Sequence, residues 1–494
     1  MNVAYLKQIE TSFFSDAKEQ LETIINQLES NDYEDVDHGC VETYISEQGN
    51  ELLRCLFQGW LDKKAANEVK KSSISNVDGE LLSHARKNTK RTLTTLFGEV
   101  KVGRISYGKS QRKSIFPADA ELNLPQDKYS DGVRNRAAKE VIKSSFDNAV
   151  ESIKETTGGS LPKRQCLNVT RNIAQDFESF YEQNRFEEPE ESKGLLALSF
   201  DGKGIVMRHD SLRECTKKSA KKNKRLSTRL SPGEKKDRKR MAQVAAVYTA
   251  QPHVRTPESI MKVKKEDNVL PFKSPIRNKR VWASVEREAE SVIKEAFLEA
   301  LQRDPLKQRK WVVLVDGLPH QIKLIKKVMK EIDVSATIVM DFIHVLEYLW
   351  KAAWCIYDKD DKSVEEWVAK QAVKILNGEC SQVAKGIRQT ATKRGITSRE
   401  NIDKCASYLL ENKQRLKYNE ALQAGFPIAT GVIEGACRHL INDRLDITGA
   451  RWSLKGAEAL LKLRSLKSSG DFDDYWNFHK QKEKLRNYPF LQKN

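Results

Sequence analysis

No stretch of the chain approaches the ~18 consecutive apolar residues that a membrane-spanning helix requires, and residues 1–23 lack the basic-then-apolar pattern of an export signal. A soluble, intracellular, cytoplasmic protein with no membrane partner is therefore expected. Cysteines at metal-ligand spacing are missing as well. The eight present, Cys40, Cys55, Cys166, Cys215, Cys355, Cys380, Cys405 and Cys437, include no C-x-x-C pair and no nearby Cys/His grouping, so they read as reduced thiols. No repeat with a period of about 20 to 50 residues is apparent, which argues against a solenoid or a propeller. Acidic residues are in deficit: 69 Asp and Glu face 86 Lys and Arg, a formal charge of +17. Such a surplus favours a polyanionic partner, because neutralising phosphates releases counterions. Nucleic acid is the first candidate.

What the chain does have is apolar material. With 39% hydrophobic residues and only 13 prolines in 494 positions, it can build sizeable cores in two or three domains. Over residues 5–71, Leu6, Ile9, Phe13, Phe14, Leu21, Ile24 and Leu28, then Leu52, Leu53, Leu56 and Leu61, follow helical periodicity, and the acidic stretch 31–37 separates two helices. A strand pair follows over 91–107, with Val100 and Val102 alternating after a Phe97-Gly98 turn signal. Three helical segments then occupy 130–185, the last two separated by Gly158, Gly159 and Pro162. The second is expected over about 145–155. A third starting near Pro162 puts Lys163, Arg164, Gln165 and Asn168 on its first turns, residue types that suit phosphates and base edges. This is a helix-turn-helix candidate for DNA, although a helical bundle with a solvated basic face accounts for the same pattern.

The acidic, proline-broken segment 186–194 marks a linker, after which the periodicity changes. Residues 195–207 read as two strands, 243–250 as a third, 311–317 as a fourth and 336–342 as a fifth. Helices are expected over 281–303 and 320–332. Three successive strands followed by strand-helix alternation imply a mixed sheet with an α/β half, the order of an RNase H-like fold. Beyond it, 345–417 is helical, with Val364, Trp367, Val368, Ala372 and Ile375 forming one stripe, and looks like an all-helical insertion. Between the second and third strands, half of the 24 positions 217–240 are Lys or Arg. Such a run is usually a solvated loop, and beside a duplex it becomes a phosphate-contact arm through Lys221, Lys222, Lys224 and Arg225.

Two carboxylates end apolar strands. Asp201 follows Leu196, Leu198 and Phe200, and Asp316 follows Val312, Val313 and Val315; each precedes a glycine. Alone, an Asp-Gly pair is a common hairpin turn. Two of them on neighbouring strands, with Glu434 early on a later helix, form a set that two-metal phosphoryl transfer needs, because its ions must be held by acidic oxygens from separate elements. On that helix Glu434, Arg438 and Asn442 share a face at four-residue spacing, which also describes an ordinary surface ion pair.

The segments around Asp201 (SFDGKGIVM), Asp316 (VVLVDGLPHQ) and Asp341 (VMDFIHVLEYLWKAA), and above all the Glu434 segment through TGARWSLKGAEALLKLRSL, resemble bacterial insertion-sequence transposases of the DDE class, the ISKra family and its Mutator-like relatives. The similarity covers most of the chain from Phe97 onward. It implies an RNase H-like catalytic domain with a large all-helical insertion, preceded by a mainly helical DNA-binding region. Asp201, Asp316 and Glu434 would be the catalytic, metal-binding triad for two Mg²⁺ or Mn²⁺ ions, with Asp341 the alternative second carboxylate. His344 resembles a D-x-x-H element and receives no catalytic step. Arg438, Arg444, Arg451 and Trp452 resemble the family's terminal pattern and are DNA-contact candidates. Some relatives carry a cysteine-rich knuckle where 107–125 here has no cysteine, so no structural zinc is expected.

The expected organisation is a helical region 1–90, a β segment 91–129, a helix-turn-helix region 130–187, the first catalytic part 195–345, an insertion 346–425, a final catalytic helix segment 426–470 and a C-terminal tail 471–494. The implied partners are double-stranded DNA at terminal inverted repeats and target sites, and further copies of the chain in a homodimer or larger assembly; RNA contact is open. A DNA-binding descendant without chemistry, and a nuclease without strand transfer, remain alternatives.

Overall fold

The computed structural model describes residues 13–183, 193–222, 238–261, 275–358, 360–447 and 449–490. They form two compact units, Met1–Tyr181 with Phe472–Asn494, and Glu182–Asp471. The linker 186–194, most of the basic segment 223–237 and the first residues of the chain fall outside, or almost wholly outside, the described residues.

The first unit opens with helices Ser15–Leu28 and His38–Ala66. Asp37 caps the second, its carboxylate accepting from Gly39 N at 2.8 Å and Cys40 N at 3.1 Å. A two-residue pair, β1 (Ile74–Ser75) with β2 (Leu81–Leu82), precedes the antiparallel hairpin β3 (His84–Thr95) and β4 (Gly98–Gly108). Leu93, Val100 and Val102 bury against Leu61, so the expected alternation packs on the second helix. The hairpin starts well before residue 91, and the 90/91 boundary therefore cuts through β3.

Helices Asp131–Lys143, Phe146–Thr156 and Lys163–Ile173 pack on one another. Ser130 and Ser145 cap the first two, each hydroxyl accepting a backbone N–H three residues on, and Pro162 precedes the third. The last segment of the chain is a correction to the sequence expectation. It is a packed helix, Phe472–Asn487, and not a tail. The polarity of its sequence hides a buried charged seam. Arg134, fully buried, makes two hydrogen bonds to Glu483 at 2.5 and 2.7 Å. His479, also fully buried, lies 2.7 Å from Asp176, which accepts two more bonds from Arg486 at 2.9 and 3.0 Å. Ions taken out of water need this degree of pairing.

The second unit is mixed α/β around one five-stranded sheet: β5 (Leu195–Val206), β6 (Lys239–Ala250), β7 (Ile276–Ser284), β8 (Trp311–Val315) and β9 (Thr337–Met340), in spatial order β7-β6-β5-β8-β9. β5, β6 and β7 are antiparallel, whereas β8 and β9 add on in parallel. Two expectations change here. Residues 195–207 form one long strand and not two, because Asp201-Gly202 continues the β6 ladder through Asp201↔Val244 and Gly202↔Gln243 instead of turning. Residues 276–284 are a strand, so the helix expected from 281 begins at Ala289. A short run such as Arg280 to Val285 carries too little periodicity to separate strand from helix.

Helices Phe342–Ala353, Ser363–Leu376, Cys380–Lys393, Glu400–Glu411 and Tyr418–Gln423 follow β9, and no strand interrupts them among the described residues. Val364, Val368, Ala372 and Ile375 are the buried stripe of the second. Helix Gly431–Cys437 packs on β5 and β6, and Leu454–Ser469 on β7. Among the described residues no helix is long and apolar enough to cross a membrane.

The seam in the first unit gives a pH-dependent expectation. Burial pushes the Asp176 carboxyl up, but hydrogen bonds from His479 and Arg486 outweigh it and hold the group at about 2, below its ordinary 3.8. A depressed folded pKa adds stability that is present above the unfolded value and lost as pH falls through the folded one. The stability gap between wild type and Asp176→Asn should therefore be level above about pH 5 and shrink between about pH 4 and 2, by denaturant unfolding. A gap unchanged down to about pH 2 contradicts this.

Candidate active site

The parallel pairing of β5 with β8 ends at Ser199↔Leu314. Asp201 and Asp316 each lie two residues further on. Side chains two apart share a face of a strand, so this register, continued one residue past the end of β8 at Val315, would put both carboxylates on one face at one end of the sheet. On its other edge β5 stays paired with β6 through Val206, which anchors Asp201 in mid-strand. Asp201 is thus a strand-end residue only on its β8 side.

Each carboxylate has an orienting partner. Asp201 Oδ1 accepts from Gly202 N at 2.6 Å, and Oδ2 accepts from Cys437 Sγ at 3.1 Å. Burial, then the charge of Asp201 and its hydrogen bond, push the Cys437 thiol far above its ordinary range, so it stays a protonated donor. Glu434 lies one turn earlier on the same helix, exposed. The Thr430 hydroxyl sits 3.2 Å from Glu434 Oε1 and 2.7 Å from Asp341 Oδ2, touching both acids. Asp316 Oδ1 accepts from Leu318 N at 3.2 Å. Its second oxygen, like Glu434 Oε2, has no hydrogen-bond partner among the described residues.

Asp341, the competitor for the second position, has a different occupation. It is 2% exposed and caps helix Phe342–Ala353 by accepting from Ile343 N at 3.1 Å. It also accepts from Thr430 N at 3.3 Å and from the Thr430 hydroxyl. Both of its oxygens are therefore engaged in fixing the start of one helix to the loop before another. His344, half-exposed one turn on, faces Tyr348 and Glu347.

The basic candidates divide by burial. Arg438 and Arg451 are exposed, Arg438 holding Asp443 only loosely at 3.7 Å. Arg444 and Trp452 are corrections: Arg444 is 3% exposed with its guanidinium 5.0 Å over the Trp452 ring, and Trp452 Nε1 donates to Leu445 O at 3.0 Å. Backbone bonds from Trp452 N to Val206 O, and from Arg208 N to Trp452 O, tie this segment to the end of β5. Both side chains are buried, and these bonds hold them within the fold. The single face expected for Glu434, Arg438 and Asn442 also changes, because Arg438–Asn442 forms a π-turn in which Asp443 N donates to Arg438 O. The wider turn rotates Asn442 away from the α-helical phase.

Lys163, Arg164 and Gln165 are all exposed on the first turn of their helix; Lys163 meets Asp147 at 2.6 Å in an exposed pair of little strength. Lys221 and Lys222 are exposed at the end of helix Glu214–Lys222, and Lys224 and Arg225 lie outside the described residues. Sequence reasoning missed Thr430 and Cys437. Nothing in their local pattern marks them, since each acts through a partner about 90 to 240 positions away.

Among the described residues no three Asp, Glu, His or Cys side chains converge closely enough to enclose a metal ion. The donor set nonetheless fits a hard divalent ion. It is all carboxylate, with free oxygens on Asp316 and Glu434. The chain matches no protein-family model and no curated protein.

The contrast between the two acids is measurable without any activity. Asp341→Ala removes the acceptor for two backbone N–H groups and the Thr430 hydroxyl in a buried setting, and should cost about 1–3 kcal/mol in urea unfolding. Asp316→Ala should stay within about 0.5 kcal/mol of wild type. Equal losses contradict the division of roles.

Proposed function

We propose that the chain is a DDE-type transposase whose five-stranded sheet is an RNase H-like catalytic domain, cutting and joining DNA at the ends of a bacterial insertion sequence. The observation that carries this reading is the β5–β8 register, paired as far as Ser199↔Leu314 with Asp201 and Asp316 each two residues beyond, and the helix of Glu434 tied to Asp201 through Cys437. The strand order with its antiparallel β7-β6-β5 and parallel β8 and β9, interrupted by a helical segment before Glu434, supports the same reading.

Asp201, Asp316 and Glu434 would hold two Mg²⁺ or Mn²⁺ ions, which supply charge stabilisation for the attacking and leaving oxygens of an in-line displacement. The rest falls to the chain. Gly202 and Cys437 fix the rotamer of Asp201, and Thr430 orients Glu434 against the charge of the buried Asp341. Asp316 keeps the second position because Asp341 is 2% exposed and its carboxylate caps helix Phe342–Ala353 and holds Thr430, whereas Asp316 accepts only from Leu318 N among the described residues. Water first attacks the phosphodiester at an element end and releases a 3′-hydroxyl; that hydroxyl then attacks target DNA, one phosphodiester forming as another breaks. Exposed Arg438 and Arg451 are the remaining phosphate clamps near the Glu434 helix. Helix Lys163–Ile173, with Lys163, Arg164 and Gln165 on its first turn, reads the terminal repeats, and Lys221 and Lys222 with the basic segment after them add sequence-independent grip. Two ends are joined, so a homodimer or larger assembly on the nucleoid is part of the reading.

The direct test uses labelled DNA carrying the flanking terminal repeats, with Mg²⁺ or Mn²⁺. Wild type should cut and join it, and Glu434→Ala should bind it without cutting. Binding with no cutting by wild type favours the non-catalytic descendant, and cutting without joining favours a nuclease. In a separate titration, Lys163→Ala with Arg164→Ala should weaken end binding and flatten the dependence of log K on log salt by about 2. Unchanged affinity and slope would remove this helix from the interface.

A further inference from the structure

Helix Glu400–Glu411 belongs to the helical segment after β9, yet one of its side chains reaches the end of β8. Tyr408 stacks on Tyr348 with ring centroids 4.1 Å apart and planes 12° apart. The stack fixes the ring and so the direction of its hydroxyl. That hydroxyl is buried and has no hydrogen-bond partner among the described residues. The backbone on which it closes is Gly317, the residue after Asp316. Gly317 turns at φ +103°, and a Cβ there would meet the Tyr408 hydroxyl and ring edge at 3.4 Å and Met340 at 2.4 Å. Glycine thus allows the turn and the close approach of Met340, and the phenol lies at contact distance beside it. Burial above all, then Tyr348 and the charges of Asp316 and Asp341, holds the phenol in its protonated, donating form.

An unmade hydrogen bond in such a place costs about 1–3 kcal/mol, and an apolar ring would avoid it. Tyr348 and Met340 would pack as well against phenylalanine. The hydroxyl therefore has no use in the packing, and the residue before Gly317, Asp316, has a spare acceptor, its one hydrogen-bond partner among the described residues being Leu318 N. We propose that Tyr408 is a positioning residue for Asp316, its hydroxyl donating to the Asp316 carboxylate as that side chain turns to take a divalent ion. The inference rests on the metal-binding role of Asp316 given above. It makes the helical segment after β9 a contributor to the site as well as a spacer before Glu434. Groups of this kind fix a ligand's orientation without touching the ion, and removing one typically weakens binding by about 10- to 100-fold.

The test is Mn²⁺ titration of the full chain by calorimetry, comparing wild type, Tyr408→Phe and Asp316→Asn, together with thermal unfolding without metal. Tyr408→Phe should bind Mn²⁺ about 10-fold more weakly and unfold at the same temperature as wild type or higher, since it loses only an unpaired hydroxyl. In the Asp316→Asn background the same change should have no further effect on Mn²⁺ binding. Wild-type affinity in Tyr408→Phe, with affinity lost in Asp316→Asn, overturns the inference and leaves the role of Asp316 standing. A lower unfolding temperature in Tyr408→Phe also overturns it, by showing that the hydroxyl serves the packing. Wild type and Asp316→Asn with equal affinity for Mn²⁺ would remove the metal role of Asp316, and the inference with it.

Discussion

The parallel register between β5 and β8 is the constraint on which the second unit's site depends. Shifting one strand by a single residue would send either Asp201 or Asp316 to the opposite face of the sheet. The register is held from both sides. β6 pairs with β5 along its whole length, from Leu195↔Ala250 to Val206↔Lys239, and β9 pairs with β8 from Val312↔Thr337 to Val315↔Met340. β8 itself is five fully buried residues, which fits a strand covered on both faces. Around this fixed pair the other groups attach through few bonds: Cys437 donates to Asp201, Thr430 donates to Asp341 from its N–H and its hydroxyl, the hydroxyl oxygen also lying 3.2 Å from Glu434, and Asp341 accepts from the N-terminus of its own helix.

In the first unit the organising interaction is electrostatic. The pairing of Arg134 with Glu483, and of Asp176 with His479 and Arg486, joins helices that are about 300 to 350 positions apart in the sequence. Breaking such a buried pair strands a charge at a cost of about 3–5 kcal/mol, which fixes where the final helix packs even though its apolar face is interrupted. Tyr475 and, just past the helix, Tyr488 add bonds to Ile173 O and Leu124 O, so the helix and the residue after it brace both the three-helix region and the end of the β segment. The unit proposed to read DNA therefore includes the last described residues of the chain.

Much of this was legible in the sequence because the signals are local. Ser145 and Pro162 mark helix starts by capping and fixed φ, and they fall where the chain's hydrophobic pattern puts them. The apolar runs before Asp316 and Asp341 are strands, the first buried throughout and the second at Val339 and Met340, read from their length and β-branched content. Other features depended on partners far away. Asp201-Gly202 has the composition of a turn, and only the continuous β6 ladder keeps it extended. The helix Phe472–Asn487 is too polar to advertise a buried face, since its core-facing positions include His479 and Glu483. Arg444 and Trp452 carry the residue types of a nucleic-acid contact, but they pack on each other under the end of β5. Their burial is a property of the packed chain that composition does not carry.

The central claim is that Asp201, Asp316 and Glu434 close on divalent metal at the end of the β5–β8 pair. Crystals of the full chain bound to terminal-repeat DNA, soaked in Mn²⁺ and measured for anomalous scattering, test it most directly. The account predicts a peak within about 2.1 Å of carboxylate oxygens from Asp201 and Asp316, with Glu434 completing the set. Ordered DNA with no anomalous peak there, or a peak ligated by Asp341 in place of Asp316, would contradict it.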